Sequence, residues 1–294
     1  MLGNLAKTAS IATAALAMVG GVMLATRAAA AADRRRRAAV AEEPRLCVVS
    51  GGSRGIGRAI AKGLVAFSPR WNVVVTASTA ESAARAAEEI AAECDADGRV
   101  FGFACDVTDD THVAALASFV ADSFGRCDVL VNNAGVMTEI LTDSVVDLDL
   151  DAVRRSIAVN TVGAMAVTRA LLPLMIAGKW GRIVNVSSRA GQLTRQKAPI
   201  SILGYRVSKA ALNRFTTGLA RELTNLAPGG DVVANAVCPG FINTDMTACF
   251  ADIGRVSSKT PAVGAITPLY LATLPSSPDI PNGKFFAELE EIPW

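Results

Sequence analysis

From residue 46 onward, short runs rich in β-branched and aromatic residues alternate with longer Ala-rich stretches whose apolar positions recur every three to four residues. That is the pattern of βαβ units and a parallel sheet. Strands are predicted over 46–49, 73–76, 100–104, 129–132, 182–186, 232–237 and 284–286, and helices over 58–67, 80–94, 111–124, 153–177, 205–226 and 262–274. The expected fold is α/β, a doubly wound, seven-stranded parallel sheet in a single domain covering 45–294. No internal repeat interrupts it. Sheets of this kind bind ligands beyond the carboxyl ends of their strands, where the strand order reverses, so chemistry is sought in the strand-to-helix turns.

The first 44 residues follow a different pattern. Between Lys7 and Arg27 lie 19 uncharged residues, which at a rise of ~1.5 Å each just cross a hydrocarbon core about 30 Å thick. The run is dominated by small residues, and residues 1–32 contain no acid, a bias common in organellar transit peptides. Two readings therefore stand side by side. One is a membrane anchor, with Arg27 and the basic run 34–37 keeping the domain on the cytosolic or stromal side. The other is a targeting peptide for a plastid or mitochondrion. Residues 28–44 read as a charged, flexible linker.

The remaining composition narrows the function. At 294 residues and 51% hydrophobic, the chain can bury one large core. Its net charge of +2 comes from nearly balanced acids and bases, and the longest basic run lies outside the expected domain, so no nucleic-acid partner is expected. The six cysteines are scattered without a C-x-x-C pair or zinc-type spacing, pointing to a reducing compartment and no metal. His112 is the only histidine, in a predicted amphipathic helix, so it reads as helix surface rather than part of a Ser-His-Asp triad.

After the first strand comes Ser50-Gly51-Gly52-Ser53-Arg54-Gly55-Ile56-Gly57. Its glycines permit a tight turn, close backbone approach to a pyrophosphate and close helix-to-sheet packing. The second strand ends Thr76-Ala77-Ser78-Thr79, without the acid that binds both ribose hydroxyls of NAD and repels a 2′-phosphate. NADP is thereby permitted, with Arg54 as a phosphate partner or as a solvated surface arginine. The G-x-x-x-G-x-G spacing resembles that of the short-chain dehydrogenase/reductase family, whose fold is Rossmann-like. On that resemblance, Gly51, Ser53, Arg54, Gly55, Ile56 and Gly57 border the cofactor phosphates, and Asp106-Val107 contacts adenine unless Asp106 merely opens a turn. Asn133-Ala134-Gly135, within Asn132-Asn133-Ala134-Gly135, borders the adenosine ribose.

Tyr205-Arg206-Val207-Ser208-Lys209 places a phenol and an ammonium four residues apart on one helix face. A tyrosine of ordinary pKa near 10 exchanges protons readily at neutrality only if shifted down by roughly two or three units. A close lysine and an oxidised nicotinamide are expected to supply that shift. The family's serine, followed by two residues and glycine, selects Ser188 over its neighbour Ser187. Its hydroxyl would hydrogen-bond the substrate oxygen. Asn160 matches the family asparagine of the proton relay; otherwise it is a buried amide satisfying helix backbone. Lys209 and Tyr205 also border the nicotinamide ribose, and Pro239, Gly240 and Thr244 match the element that orients the carboxamide. Six such elements in order exclude chance.

The tail from Pro268 to Trp294 is similar to the carbonyl reductase branch, and 17 residues separate Ser188 from Tyr205, so the loop between them is modestly extended. Phe241, Met246, Phe250 and Leu193 are candidate pocket wall. The resemblance implies reduction of a small-molecule ketone or aldehyde by NADPH, with NADH the second choice. Terpenoid, steroid or acyl-carrier ketones are alternative substrates, and a non-catalytic NADPH sensor or scaffold is the competing class. Sequence leaves the oligomeric state undecided.

Overall fold

The computed structural model describes residues 40–139, 145–193, 202–254 and 256–294, with the isolated positions 35 and 38. The apolar run between Lys7 and Arg27 lies outside the described residues, as does most of the basic run at 34–37. Two compact units divide the chain, Met1–Val40 and Ala41–Trp294, and the second holds every element described below.

The expected alternation is realised as β1 (Arg45–Val49), α1 (Gly55–Phe67), β2 (Trp71–Ala77), α2 (Ala80–Glu93), β3 (Val100–Ala104), α3 (Asp110–Phe124) and β4 (Val129–Asn132). There follow α4 (Leu150–Ile157), a π-helical turn (Ala158–Gly163), α5 (Ala164–Gly178), β5 (Trp180–Val186), α6 (Leu203–Leu226), β6 (Asp231–Cys238), α7 (Pro261–Ala272), β7 (Phe285–Ala287) and β8 (Glu290–Ile292). The strand order is β3-β2-β1-β4-β5-β6-β7-β8. The first seven strands are parallel, as expected. β8 is an addition, pairing antiparallel with β7. The two residues joining them, Glu288 and Leu289, have φ of 54° and 68°, as a tight two-residue hairpin turn demands. Strand order reverses between β1 and β4, so the crevice lies above their carboxyl ends.

The strands are apolar on both sides because helices cover both faces. Leu46, Val48, Leu130, Ile183 and Ala234 bury against Leu116 and Val120 of α3, Leu171 and Met175 of α5, and Leu219 and Leu223 of α6. On the opposite face α1 packs on α7 and β2, and α2 packs on β3. The predicted helix 153–177 starts earlier, at Leu150, because Asp149 caps it by accepting from the N–H groups of Asp151 (2.8 Å) and Ala152 (3.2 Å). Its π-helical turn interrupts the expected regular winding. At the opposite end of the sheet, the buried carboxylate of Asp128 accepts from Leu46 N at 2.8 Å and from both Arg45 and Arg126.

His112 lies on the exposed face of α3, as expected. Asp109 caps that helix, accepting from Thr111 N at 2.8 Å and His112 N at 3.2 Å. Asp109→Ala is expected to cost about 1 kcal/mol, which for a domain of this size lowers Tm by about 2–4 °C in a thermal melt. An unchanged Tm would mean that solvent replaces the cap.

Candidate active site

The turn after β1 is shaped by contacts that leave no room for side chains. Gly51 has φ of +61°, and a Cβ there would stand 2.9 Å from Ala134 Cα. A Cβ on Gly57 would stand 2.3 Å from Gly51 O and 2.4 Å from Asn133 Nδ2. Asn133 is the brace: its Nδ2 donates to Ser50 O (3.1 Å) and Gly51 O (2.9 Å), while Ser50 Oγ accepts from the N–H groups of Asn133 and Ala134, each at 3.0 Å. The glycine loop and the Asn133-Ala134-Gly135 turn are therefore one unit. Ser53, Arg54, Gly55 and Ile56 complete the loop, and α1 starts with no side-chain cap and no acid in its first turn. Uncapped N–H groups at a helix N-terminus fit a phosphate. Ser78, following β2, is exposed and carries no charge to oppose a 2′-phosphate.

Arg54 is not a lone surface arginine. It pairs with Asp245 at 2.7 Å, with the two side chains 78% and 75% exposed, so water and salt screen the pair and a competing anion can exchange with it. Asp245 opens a 3₁₀ segment, Asp245–Ile253, whose preceding residue Thr244 forms a capping box with Thr247. Thr244 thus lies beside the glycine loop, with its Cγ2 3.4 Å from the Cβ position of Gly55. Asp106 does open a turn: its Oδ1 accepts from Thr108 N at 2.9 Å and Thr108 Oγ1 at 2.7 Å. Val107 packs against Gly163, where a Cβ would approach its Cγ2 to 2.5 Å.

At the carboxyl end of β5 the two serines take different places. Ser187 is buried, donating to Asn213 Oδ1 at 2.5 Å and to Lys209 O at 3.4 Å. Ser188 is half-buried and accepts from Ala190 N at 3.1 Å, and its hydroxyl is near enough to the Tyr205 phenol to favour the phenolate. Of the two serines, Ser188, the one that the family pattern points to, is the more open. Lys209 is 4% exposed, and its Nζ lies 5.7 Å from the centre of the Tyr205 ring. Nζ donates to Val186 O at 2.8 Å, which uses one of the three ammonium donors. Asn160 lies in the π-helical turn and is held on both edges. Its Oδ1 accepts from Val136 N at 2.7 Å, and its Nδ2 donates to Val136 O (2.8 Å) and Ser208 Oγ (2.9 Å). Oδ1 of Asn160 and Nζ of Lys209 both flank Gly135, at 3.2 and 3.6 Å from its Cβ position. Gly240 has φ of +94° after Pro239, turning the chain from β6 toward Thr244.

The protein's own groups, before any nicotinamide charge is added, act on the tyrosine in the other direction. Burial pushes the Tyr205 phenol up to about 12, aided by Cys238 and Glu139 and opposed by the Ser188 hydroxyl. Burial pushes Lys209 down to about 8. Both shifts follow from disfavouring the charged form in a dry site. With Lys209 titrating near 8 and the phenol near 12, the ammonium is lost before the phenolate forms and so does not lower it.

Sequence reading missed several supports. Asn213 fixes Ser187, Asp245 engages Arg54, and Glu139, in a stretch that reads as plain loop, accepts from Tyr205 N at 2.6 Å. A ladder of buried amides, Asn132 Nδ2 to Asn185 Oδ1 and Asn185 Nδ2 to Thr216 Oγ1 (2.8 Å each), ties β4 and β5 to α6. Among the four pocket-wall candidates, Phe241 and Phe250 pack edge-to-face at 5.4 Å. Met246 lies at the surface, and Leu193 is 86% exposed. Residues 194–201 of the extended loop lie outside the described residues.

The family model for short chain dehydrogenases matches residues 45–252. The chain belongs to the short-chain dehydrogenase/reductase family. It is an oxidoreductase of that family. The chain is 36% identical over 208 residues to 3-oxoacyl-(acyl-carrier-protein) reductase FabG of Aquifex aeolicus, a match covering 71% of this chain and 78% of that protein. It is 28% identical over 289 residues to carbonyl reductase (NADPH) 1 of Mus musculus, covering 85% and 98% of the two chains. A metagenomic short-chain oxidoreductase solved in complex with NADP superposes with a TM-score of 0.62 at 34% identity, covering 79% of this chain and 91% of that one.

Proposed function

We propose that the chain reduces a ketone or aldehyde carbonyl to an alcohol with NADPH. The observation that carries this reading is the convergence of Ser188, Tyr205 and buried Lys209 at the carboxyl end of the sheet, with Lys209 Nζ 5.7 Å from the centre of the tyrosine ring. When bound, the nicotinamide cofactor supplies the hydride. Ser188 donates a hydrogen bond to the carbonyl oxygen as negative charge develops there. Tyr205 gives that oxygen its proton, which burial keeps on the phenol at neutral pH and which the charge of a bound, oxidised nicotinamide would loosen. Lys209, with two donors beyond its bond to Val186 O, holds the ribose and restores the tyrosine's proton, with Asn160 behind it. Gly51, Gly55 and Gly57 shape the turn that receives the pyrophosphate, and Arg54 takes the 2′-phosphate in exchange for Asp245. The mouse relative is named a carbonyl reductase for NADPH, and the metagenomic neighbour was solved with NADP, which supports the cofactor assignment. Residues 45–294 are assigned to this catalytic domain, and residues 1–44 to a segment that anchors or delivers it.

A second reading, reduction of a 3-oxoacyl thioester on an acyl carrier, is favoured by the 36% identity to FabG. Both readings use the same reacting groups and differ only in what the loops admit. The test follows NADPH absorbance against quinones, aldehydes, cyclic ketones and a 3-oxoacyl thioester. Consumption with the small carbonyls supports the first reading and consumption with the thioester alone the second. Tight NADPH binding without turnover anywhere would overturn both in favour of a cofactor-binding sensor. In the same assay Arg54→Ala is expected to raise the Kd of NADPH about five- to tenfold, a charge-assisted contact discounted for its exposure, and to leave NADH unchanged. Equal losses for both cofactors would remove Arg54 from 2′-phosphate recognition.

A further inference from the structure

The helix that carries Tyr205 and Lys209 lacks a cap of its own. Ile202, at its N-cap, makes no side-chain hydrogen bond, and the first turn of α6 contains no acid. The missing acceptor comes from 66 residues upstream, where Glu139 Oε1 accepts from the backbone N–H of Tyr205 at 2.6 Å. Glu139 is 9% exposed, and its other oxygen accepts from Ser156 Oγ of α4 at 3.2 Å. Neighbouring Thr138 ties the same loop to α4 by donating to Ala152 O at 2.9 Å. The carboxylate reaches the tyrosine amide only because residue 204 is glycine. A Cβ there would stand 2.7 Å from Glu139 Oε1 and 2.8 Å from Val153 Cγ2.

We propose that Glu139 is a positioning residue for the reaction, holding Tyr205 in its reacting place by capping α6 at the tyrosine's own backbone amide. This rests on Tyr205 being the proton donor. A carboxylate at a helix N-terminus complements the positive end of the macrodipole, and here it braces α6 against α4 at the residue that donates the proton. Its charge also acts on the phenol, adding to the burial that holds the proton on. The other charged or titratable groups around that end of the helix are Cys238 at the end of β6, Lys209 and Arg206 on α6, and Arg189 after β5. On α4 they are Arg155 and the exposed pair Asp151–Arg154. Of the acids among them, Glu139 is the one that contacts Tyr205.

Glu139→Gln separates the cap from the charge, because an amide oxygen still accepts from Tyr205 N–H. The chain has two tyrosines, Tyr205 and Tyr270, so the phenolate of Tyr205 can be read by ultraviolet absorbance in a rapid pH jump, with Tyr205→Phe assigning the step. Glu139→Gln is expected to keep Tm and NADPH affinity and to move that titration down by the small share that the Glu139 charge contributes. The alkaline limb of kcat in the reductive direction should move with it. Glu139→Ala, which loses the acceptor, is expected to lower kcat about ten- to a hundredfold with KM little changed. A Glu139→Ala protein that loses Tm but keeps kcat overturns the proposal, whereas a Glu139→Gln titration that superposes on wild type, with kcat kept, supports the backbone cap as the whole of the positioning role. If wild type shows no turnover at all, the reductase reading fails while the phenolate titration still decides the role of Glu139.

Discussion

Tyr205→Phe is expected to lower kcat for carbonyl reduction about 10²- to 10⁴-fold, the range that general acid catalysis contributes, while the Kd of NADPH changes less than about twofold. The substitution removes one oxygen and keeps the ring that packs near Lys209. Ser188 remains able to orient a carbonyl oxygen in the variant, so residual turnover over the solution reaction should persist. The pH profile carries a sign that checks the assignment. Burial holds Lys209 near 8 and Tyr205 near 12. As pH rises through the first value the ammonium is lost, and as it rises toward the second the proton to be donated is lost. Reduction should therefore be flat on the acid side and fall on the alkaline side, beginning near pH 8. Alcohol oxidation, which needs the phenolate as base, should rise over the same interval. A Tyr205→Phe enzyme retaining more than about a tenth of wild-type kcat would exclude the phenol as proton donor, since no general acid works at so small a margin.

Much of this arrangement is legible in the chain because period and spacing are local. The seven parallel strands announce themselves as apolar runs bounded by turn residues. Ser188, Tyr205 and Lys209 are pointed to by the family resemblance, carried by short motifs at strand and helix ends. β8 escaped because its turn uses Glu288 and Leu289 at positive φ, positions where Asn-Gly would have signalled a hairpin; the pairing is imposed by tertiary packing, with Phe285 stacked on Trp294 at 5.4 Å. The effect of burial on Tyr205 escaped for a different reason. Sequence shows that a lysine stands one helical turn away, but it does not show that both groups are dehydrated. Dehydration is what raises the one and lowers the other. Glu139, Asn213 and Asp245 have no local signature, because each acts on a residue far along the chain, and the contact exists only once β4, β5 and β6 bring their carboxyl ends together.

Gly57→Ala tests the cofactor end, where the expected effect is on binding rather than chemistry. The added methyl group would meet Gly51 O at 2.3 Å and Asn133 Nδ2 at 2.4 Å, both well inside contact distance. Neither neighbour is the free end of a flexible side chain. Gly51 O belongs to backbone pinned at φ of +61° against Ala134, and Asn133 Nδ2 is already committed to Ser50 O and Gly51 O. Relief therefore requires the glycine loop and the Asn133-Ala134-Gly135 turn to separate, at a cost of about 1–3 kcal/mol for overpacking of this kind. If that cost falls on the loop's binding geometry, the Kd of NADPH rises about ten- to a hundredfold, because the N–H groups at the start of α1 no longer converge on one point. Isothermal titration of NADPH into Gly57→Ala, beside a thermal melt, separates the two places the strain can go. Weakened binding with a near-native Tm locates it in the phosphate turn. Wild-type affinity would show that the turn yields freely, and would remove the tight glycine packing from the account of how this fold receives a dinucleotide.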